Sequence, residues 1–458
     1  MNIPYMEQWV YRRIGKDKGS FGHITRSDVE EIKFAKLSDV LSYVASESRF
    51  YRKLFSEHNI DINTIKSYED LATIPFTSSE DIKADPNRFS CVPLSAIAKT
   101  IRLYRSEHTS GTLYSSGTTG LTKRIFFTKE DLATIVDFLG LCTAVATRKG
   151  DVVQIMLPER RSLGQAELLA RGVRATNCTA IKANPKLNAE EQFQIIKESG
   201  TGVIVGIVSY VYRISQILSQ KYDLRNTKVH GIVVTSEYVP EIIRERLEEM
   251  WGCIVYSHYG MAEMGLFAGI ECSERKGVHL NEADYIFEVV DPKTGAPLKH
   301  GEEGELVITT LSRKAMPLIR YRTGDITSII SEPCLCGIKN LYRINKITRR
   351  TNTFVTIKGG DTIYPNLFDD TIFCIPKVVD YKIILKEENN KDRLTFHVEV
   401  VDKKPAIKRA IHDILCVHPL LKSNLERGYI SDPQIELVDP GCLKKDRTQK
   451  RVIIERQR

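Results

Sequence analysis

Between Ile125 and Val234 the chain alternates long helical stretches with short β-branched runs. Lys129–Val145 reads as helix, and Val152–Met156, Gly202–Val208 and Lys228–Val234 read as strands. Strands separated by helices pair in parallel through βαβ crossovers, which specifies an α/β fold. The flanks read differently. The first 110 residues are mostly helical: Arg26–Phe55 sets its apolar residues three and four apart. Tyr285–Leu311 reads as two strands around a turn, since Asp-Pro and Thr-Gly-Ala-Pro break it. The last 110 residues mix strands such as Arg393–Val401 with a helix over Ala406–Val417. At 458 residues the chain needs more than one core. The expectation is a large multi-layer N-terminal domain, residues 1–348, and a small, mobile α+β C-terminal domain, residues 349–458.

Composition narrows the function class. Hydrophobic residues are 42% and charged residues 27%, an ordinary globular balance. The net charge of +8 is spread along the chain, with no basic stripe interleaved with aromatics, so nothing points to nucleic acid. Met1–Lys16 contains no apolar block, and the longest apolar run, Gly202–Tyr212, falls far short of the ~20 residues that span a bilayer. A soluble, cytoplasmic protein without a membrane partner is expected. Its ten scattered cysteines should be mostly reduced and buried.

The sharpest local feature is "YSSGTTGLTK", Tyr114–Lys123. Ser115, Ser116, Gly117, Thr118, Thr119 and Gly120 put two glycines and four hydroxyls in six positions. Glycine lets backbone N–H groups approach a phosphate, hydroxyls donate to its oxygens, and Lys123 adds charge. A Walker loop needs four residues between its first glycine and Gly-Lys-Ser/Thr; only two separate Gly117 from Gly120. The stretch resembles instead the S-S-G-T-T-G-x-P-K phosphate loop of adenylate-forming enzymes, with Thr122 at the usual proline. That resemblance implies ATP as substrate.

Further blocks follow in that family's order. Thr235–Glu237 stands where the family lines the adenine, which makes Ser236 and Glu237 nucleotide contacts. "YGMAE", Tyr259–Glu263, resembles Y-G-x-T/S-E. By resemblance Tyr259 stacks on the base, Gly260 belongs to the same site, and Glu263 is catalytic through Mg²⁺, for which a hard carboxylate is suited. Ala262 lacks the family hydroxyl. "PLIRYRTGDIT" resembles R-Y-x-T-G-D and assigns Asp325 to the ribose hydroxyls, a natural pairing for a carboxylate. Arg350 stands at a second ribose or phosphate contact, though Arg349, Asn352 and Thr353 depart from the family's G-R-x-D-D hinge.

The run from Tyr285 to Gly360, including "DPKTGAPLKHGEEGELVITTLSRKAMPLIRYRTGD", resembles the phenylacetate–CoA ligase branch. The resemblance implies joining of a carboxylic acid, usually a flat aryl or heteroaryl acid, to AMP with pyrophosphate release. The acyl group then passes to a thiol; CoA is the first choice, with a carrier protein or an amine open. Tyr210 and His258 are candidates for the acid-binding wall, and relatives are commonly homodimers. Aligning on Lys450-Arg451-Val452 puts Thr448 or Arg447 at the family's C-terminal lysine, while aligning on lysine alone picks Lys450, which is taken as the catalytic lysine; a solvated basic tail is the alternative. A nucleotide-binding relative without catalysis is the competing reading of the departures. Lastly, "ECSERKGVHL" and "EPCLCG" supply Cys272, His279, Cys334 and Cys336. Three thiols and an imidazole complete a tetrahedral Cys₃His set for a structural Zn²⁺, which some members of the branch carry; unligated thiols are the alternative.

Overall fold

In the computed structural model the described residues are 5–13, 25–103, 123–158, 163–351, 354–364, 366–443 and 454–457. The chain opens with helices α1 (Tyr5–Arg13), α2 (Arg26–Glu47), α3 (Arg49–Glu57), α4 (Tyr68–Leu71) and α5 (Ser79–Ala84). α2 starts at Thr25, whose side chain accepts from the Asp28 amide while Asp28 bonds back to the Thr25 backbone. This reciprocal box satisfies two of the N–H groups a helix start leaves open. The helical opening ends at β1 (Lys99–Leu103), which pairs antiparallel with β2 (Lys123–Phe127), Leu103 opposite Lys123. The glycine- and hydroxyl-rich segment Ser115–Gly120, with Thr122, lies outside the described residues.

The expected βαβ alternation follows: α6 (Lys129–Ala144), β3 (Val152–Met156), α7 (Gln165–Ala175), β4 (Thr179–Lys182), α8 (Ala189–Ser199), β5 (Val203–Ile207), α9 (Val208–Leu218), β6 (Gly231–Thr235), α10 (Glu241–Trp251) and β7 (Ile254–Tyr259). These strands pair in parallel in the order β4-β3-β5-β6-β7. Every residue of β5 and β6 is buried, as strands covered on both faces require. α6 and α7 meet through glycines: a Cβ on Gly172 would lie 2.6 Å from the Gly140 nitrogen, so neither position accepts a side chain.

Past β7 the sheet turns antiparallel. β8 (Gly269–Glu271) and β9 (Val278–Leu280) extend it. β10 (Tyr285–Val290), β11 (Gly304–Thr310) and β12 (Tyr321–Thr327) begin a second, antiparallel sheet. β13 (Ile329–Ile330) and β14 (Arg343–Ile344) return to the first, giving the order β13-β14-β9-β8-β7-β6-β5-β3-β4. β15 (Arg349–Arg350) closes the second sheet against β12, Asp325 opposite Arg350.

The small C-terminal domain holds the short hairpin β16 (Val355–Thr356) and β17 (Thr362–Ile363), then α11 (Asp369–Phe373), β18 (Val378–Glu388), β19 (Lys391–Val400), α12 (Pro405–Val417), α13 (Pro419–Glu426), β20 (Gln434–Val438) and β21 (Ile454–Gln457). Its sheet runs β20-β19-β18-β21. β18 and β19 join through Asn389 and Asn390 at φ 50° and 63°, the left-handed pair a tight two-residue hairpin needs. The domain seats on α9 and α10. Arg246 Nη2 donates to the Cys374 carbonyl at 2.9 Å, and Tyr212 packs edge-on against Phe373. Arg213 reaches across to Glu399 and Asp380. No helix among the described residues is long and apolar enough to cross a membrane.

Candidate active site

Ligands of open parallel sheets bind beyond the carboxyl ends of the strands, and the site residues gather there. β5 runs into α9, where the Ser209 amide donates to Glu237 at 3.0 Å; Glu237 itself follows β6. Ser236, between them, sits at φ 72°, a left-handed conformation that costs a non-glycine residue roughly 1–2 kcal/mol. His258 of β7 bonds to Thr235 at the end of β6 and stacks on Phe267, centroids 3.5 Å apart. Tyr210 lies buried in the first turn of α9. Its hydroxyl donates to the Leu187 carbonyl and accepts from Gln192 at 3.0 Å.

Two polar clusters lie beyond β7. In the first, the Tyr259 hydroxyl donates to Asp325 Oδ2 at 2.8 Å, and Arg350 Nε meets Asp325 Oδ1 at 2.6 Å. Burial and the Asp325 charge push the Tyr259 phenol well above its ordinary range, so it stays a donor. Gly260 is required by contact: a Cβ there would lie 2.1 Å from the Leu266 carbonyl oxygen. In the second cluster Glu263 is 2% exposed and pairs with Lys123. Lys123 Nζ also donates to Ser79 Oγ at 3.0 Å and to the Tyr321 hydroxyl at 2.9 Å; Tyr321 donates to Glu263 at 3.1 Å. Burial opposes the charge on Glu263, but Lys123 outweighs it and holds the carboxyl below the usual carboxylate range. Sequence reasoning missed Tyr321 and Ser79. Tyr321 stands inside "RYRTGD", so the motif carried the signal; Ser79 is far away in α5 and carried none. Lys450, Arg447, Thr448, Asn352 and Thr353 lie outside the described residues.

The donor chemistry at Glu263 suits Mg²⁺. Such an ion takes one or two protein carboxylates and fills its octahedron with phosphate oxygens and water. The four zinc candidates converge, with their ligand atoms all within 4.8 Å of one another. Four-coordinate zinc, with Zn–S about 2.3 Å and Zn–N about 2.0–2.1 Å, sets sulfurs about 3.8 Å apart and sulfur from nitrogen about 3.5–3.6 Å. Cys272 and Cys334 stand at 3.7 Å, and Cys336 and His279 Nε2 at 3.5 Å. The hydrogen bond from Cys336 pulls the Cys272 thiol down to about 3 against its burial, with His279 assisting.

A parallel sheet whose carboxyl ends carry two buried polar clusters, joined to a small α+β domain, is an α/β architecture with polar groups gathered where such sheets take their ligands. Residues 46–312 match the AMP-binding enzyme family and residues 360–457 match the AMP-binding enzyme C-terminal domain, so the chain belongs to the AMP-binding enzyme family. It is 31% identical over 387 residues to a phenylacetate-coenzyme A ligase of Thermus thermophilus, covering 82% of each chain. Among solved structures it resembles 2-hydroxyisobutyryl-CoA ligase in the postadenylation state, with TM-score 0.77 at 21% identity over 94% of this chain and 90% of that one. Against the same ligase in the thioesterification state, with the same shares covered and 22% identity, the TM-score is 0.64.

Proposed function

We propose that this enzyme activates an aryl carboxylic acid with ATP and transfers the acyl group to CoA. The supporting observation is the pair of clusters beyond β7, Tyr259–Asp325–Arg350 and Lys123–Glu263–Tyr321, in a chain of this family and this similarity to phenylacetate-coenzyme A ligase. In the first step a carboxylate oxygen attacks the α-phosphorus, the bond to the β-phosphate oxygen breaks, and pyrophosphate leaves. In the second a thiol sulfur attacks the acyl carbon, loses its proton, and AMP departs.

The residues divide this work. Asp325 accepts from the ribose hydroxyls, with Arg350 keeping it ionised and aimed, and the Tyr259 ring faces the adenine. Ser236 and Glu237 line the same base, and His258 and Tyr210 belong to the acid side. Lys123 draws toward the phosphates together with the hydroxyls of Ser115, Ser116, Thr118 and Thr119 and the backbone at Gly117, Gly120 and Gly260. Glu263 would hold Mg²⁺, which neutralises charge on the departing phosphates. Lys450 supplies the cation that offsets charge as the carboxylate attacks. The hinge between domains falls at Arg349, with residues 1–348 as the core and 349–458 as the moving part. The placement of a soluble, cytoplasmic homodimer belongs to the same reading.

Acid-dependent ATP–pyrophosphate exchange across a panel of aryl acids, followed by CoA, a carrier protein and amines as acceptors, tests this. Binding of ATP without exchange for any acid would make the chain a silent nucleotide binder. Exchange followed by transfer only to a carrier protein or an amine would move the acceptor.

Asp325→Ala should raise the ATP dissociation constant about tenfold to hundredfold. Each charge-assisted hydrogen bond is worth roughly 1.5–3 kcal/mol and each tenfold is about 1.4 kcal/mol. Calorimetry on the folded variant checks it, and unchanged affinity would reassign the ribose.

Cys272, His279, Cys334 and Cys336 hold a structural zinc. Four protein ligands leave no position for substrate, and the ion ties β8 and β9 to the turn before β14. The purified protein should carry about one tightly held zinc per chain, one per Cys₃His set. Cys334→Ser with Cys336→Ser should lose it and melt at lower temperature; metal-free native protein purified without chelators would refute the site.

A further inference from the structure

α12 carries a second set of metal-binding side chains that neither the fold nor the proposed activity uses. His412 and Cys416 are four residues apart, so both project from one face of the helix. Asp432, in the turn leading to β20, comes to the same point. His412 Nε2 lies 3.0 Å from Asp432 Oδ2 and 3.6 Å from Cys416 Sγ, and Cys416 Sγ lies 3.9 Å from Asp432 Oδ1. The three ligand atoms fall within 4.8 Å of one another. The sulfur–nitrogen separation is that of two ligands on one tetrahedral zinc, about 3.5–3.6 Å. The other ring nitrogen, Nδ1, lies 3.5 Å from Asp413 Oδ1, a carboxylate that Arg409 also faces. A metal-bound histidine commonly gives its second N–H to such a carboxylate, which fixes the ring and its tautomer.

A catalytic thiol is the competing use of cysteine, histidine and aspartate. The geometry opposes it: Cys416 Sγ and Asp432 Oδ2 both meet the same ring nitrogen, Nε2, so Asp432 does not orient a base toward the thiol from the far side of the ring. A single ion takes all three donors at one point.

We infer that His412, Cys416 and Asp432 form a second, open transition-metal site on the outer side of the C-terminal domain, selective for Zn²⁺ or a similar thiolate-binding divalent ion. Sulfur and imidazole favour such an ion over Mg²⁺ or Ca²⁺. The site differs in kind from the Cys₃His set. Three protein ligands leave a fourth position to water or to a donor from a partner. Asp432 is 73% exposed at its side chain, so the ion exchanges freely with solvent. Bound, it pins α12 to the segment entering β20.

The test uses the full-length chain brought by metal analysis to one Zn²⁺ per chain in total, which fills the Cys₃His set, and then titrated with Co²⁺. One further equivalent should bind and produce a thiolate-to-cobalt charge-transfer band. The band should persist in metal-free Cys334→Ser/Cys336→Ser given Co²⁺ alone and vanish in Cys416→Ser and His412→Ala, whose side chains reach solvent and whose melting without further metal should match the parent. Asp413→Asn should keep the band but weaken cobalt binding about 10–100-fold. No band in the parent protein overturns the site. A band unchanged in Cys416→Ser, or lost only in Cys334→Ser/Cys336→Ser, assigns the cobalt to the Cys₃His thiols and overturns it equally.

Discussion

Glu263→Gln is expected to lower acid-dependent ATP–pyrophosphate exchange by about three orders of magnitude or more, while Tyr321→Phe costs far less. The carboxylate is the anionic partner of Lys123 inside a buried site, and in the proposed reaction both act on the phosphates. Losing a hard oxygen ligand from a metal–phosphate centre removes several kcal/mol of transition-state stabilisation, and about 1.4 kcal/mol is a factor of ten in rate. Glutamine keeps the shape and the acceptor toward Tyr321 but not the charge. Tyr321 contributes one hydrogen bond at 3.1 Å to that charged carboxylate, worth roughly 1.5–3 kcal/mol. Lys123 keeps Ser79 and Tyr321 as partners in the Glu263 variant, so the fold should survive. Melting measured alongside exchange separates instability from lost chemistry. Exchange at the parent rate in a folded Glu263→Gln protein would end the metal role. The sign for pH follows from the depressed folded value. The stability this carboxylate gives is present above its unfolded range and is lost only as acid carries it below that range.

The parts of the molecule that were legible in the sequence are those set by local pattern. β5 and β6 announce themselves because a strand buried on both faces has no polar residue to spare. α12 was read to within a residue of its start because its period and its breaking residues are adjacent in sequence. The thiol cluster was legible through chemistry, since Cys334 and Cys336 beside a proline and a glycine invite one metal. β1 was not legible: its five residues follow a helical region and owe their extension to pairing with β2, more than twenty residues on. Tyr321 was read as part of a motif yet not as the bridge between Lys123 and Glu263. Its partners come from β2 and the turn after β7, and only the folded sheets bring all three together. Arg213 follows an apolar run and gives no sign that its counter-charges lie 167 and 186 residues further along the chain.

That arginine carries the second large effect. Its guanidinium is 4% exposed and meets Glu399 of β19 at 2.9 Å and Asp380 of β18 at 3.8 Å, residues that are themselves 0% and 1% exposed. Glu399 also accepts from the Leu443 amide at 2.8 Å, so it joins the chain just ahead of the C-terminal tail to α9. Arg213→Met removes the cation that meets Glu399 at 2.9 Å and leaves that buried carboxylate at the interface without it. Breaking such a pair costs about 3–5 kcal/mol. On the hinge proposed at Arg349 the penalty falls on the seated arrangement, because Arg213 belongs to α9 and both carboxylates to the C-terminal sheet. A bias of that size shifts a two-state equilibrium by roughly two to three orders of magnitude. Arg213→Met should therefore loosen the seating, expose the segment around Arg349 to protease and lower the melting temperature. Arg213→Met with Asp380→Leu and Glu399→Leu should regain the seating, since an apolar set of similar volume leaves no charge unpaired. Unchanged protease resistance near Arg349 in the single variant, or a triple variant no better seated than the single one, would show that Arg213 acts through local packing and not as the charge that holds the domain down.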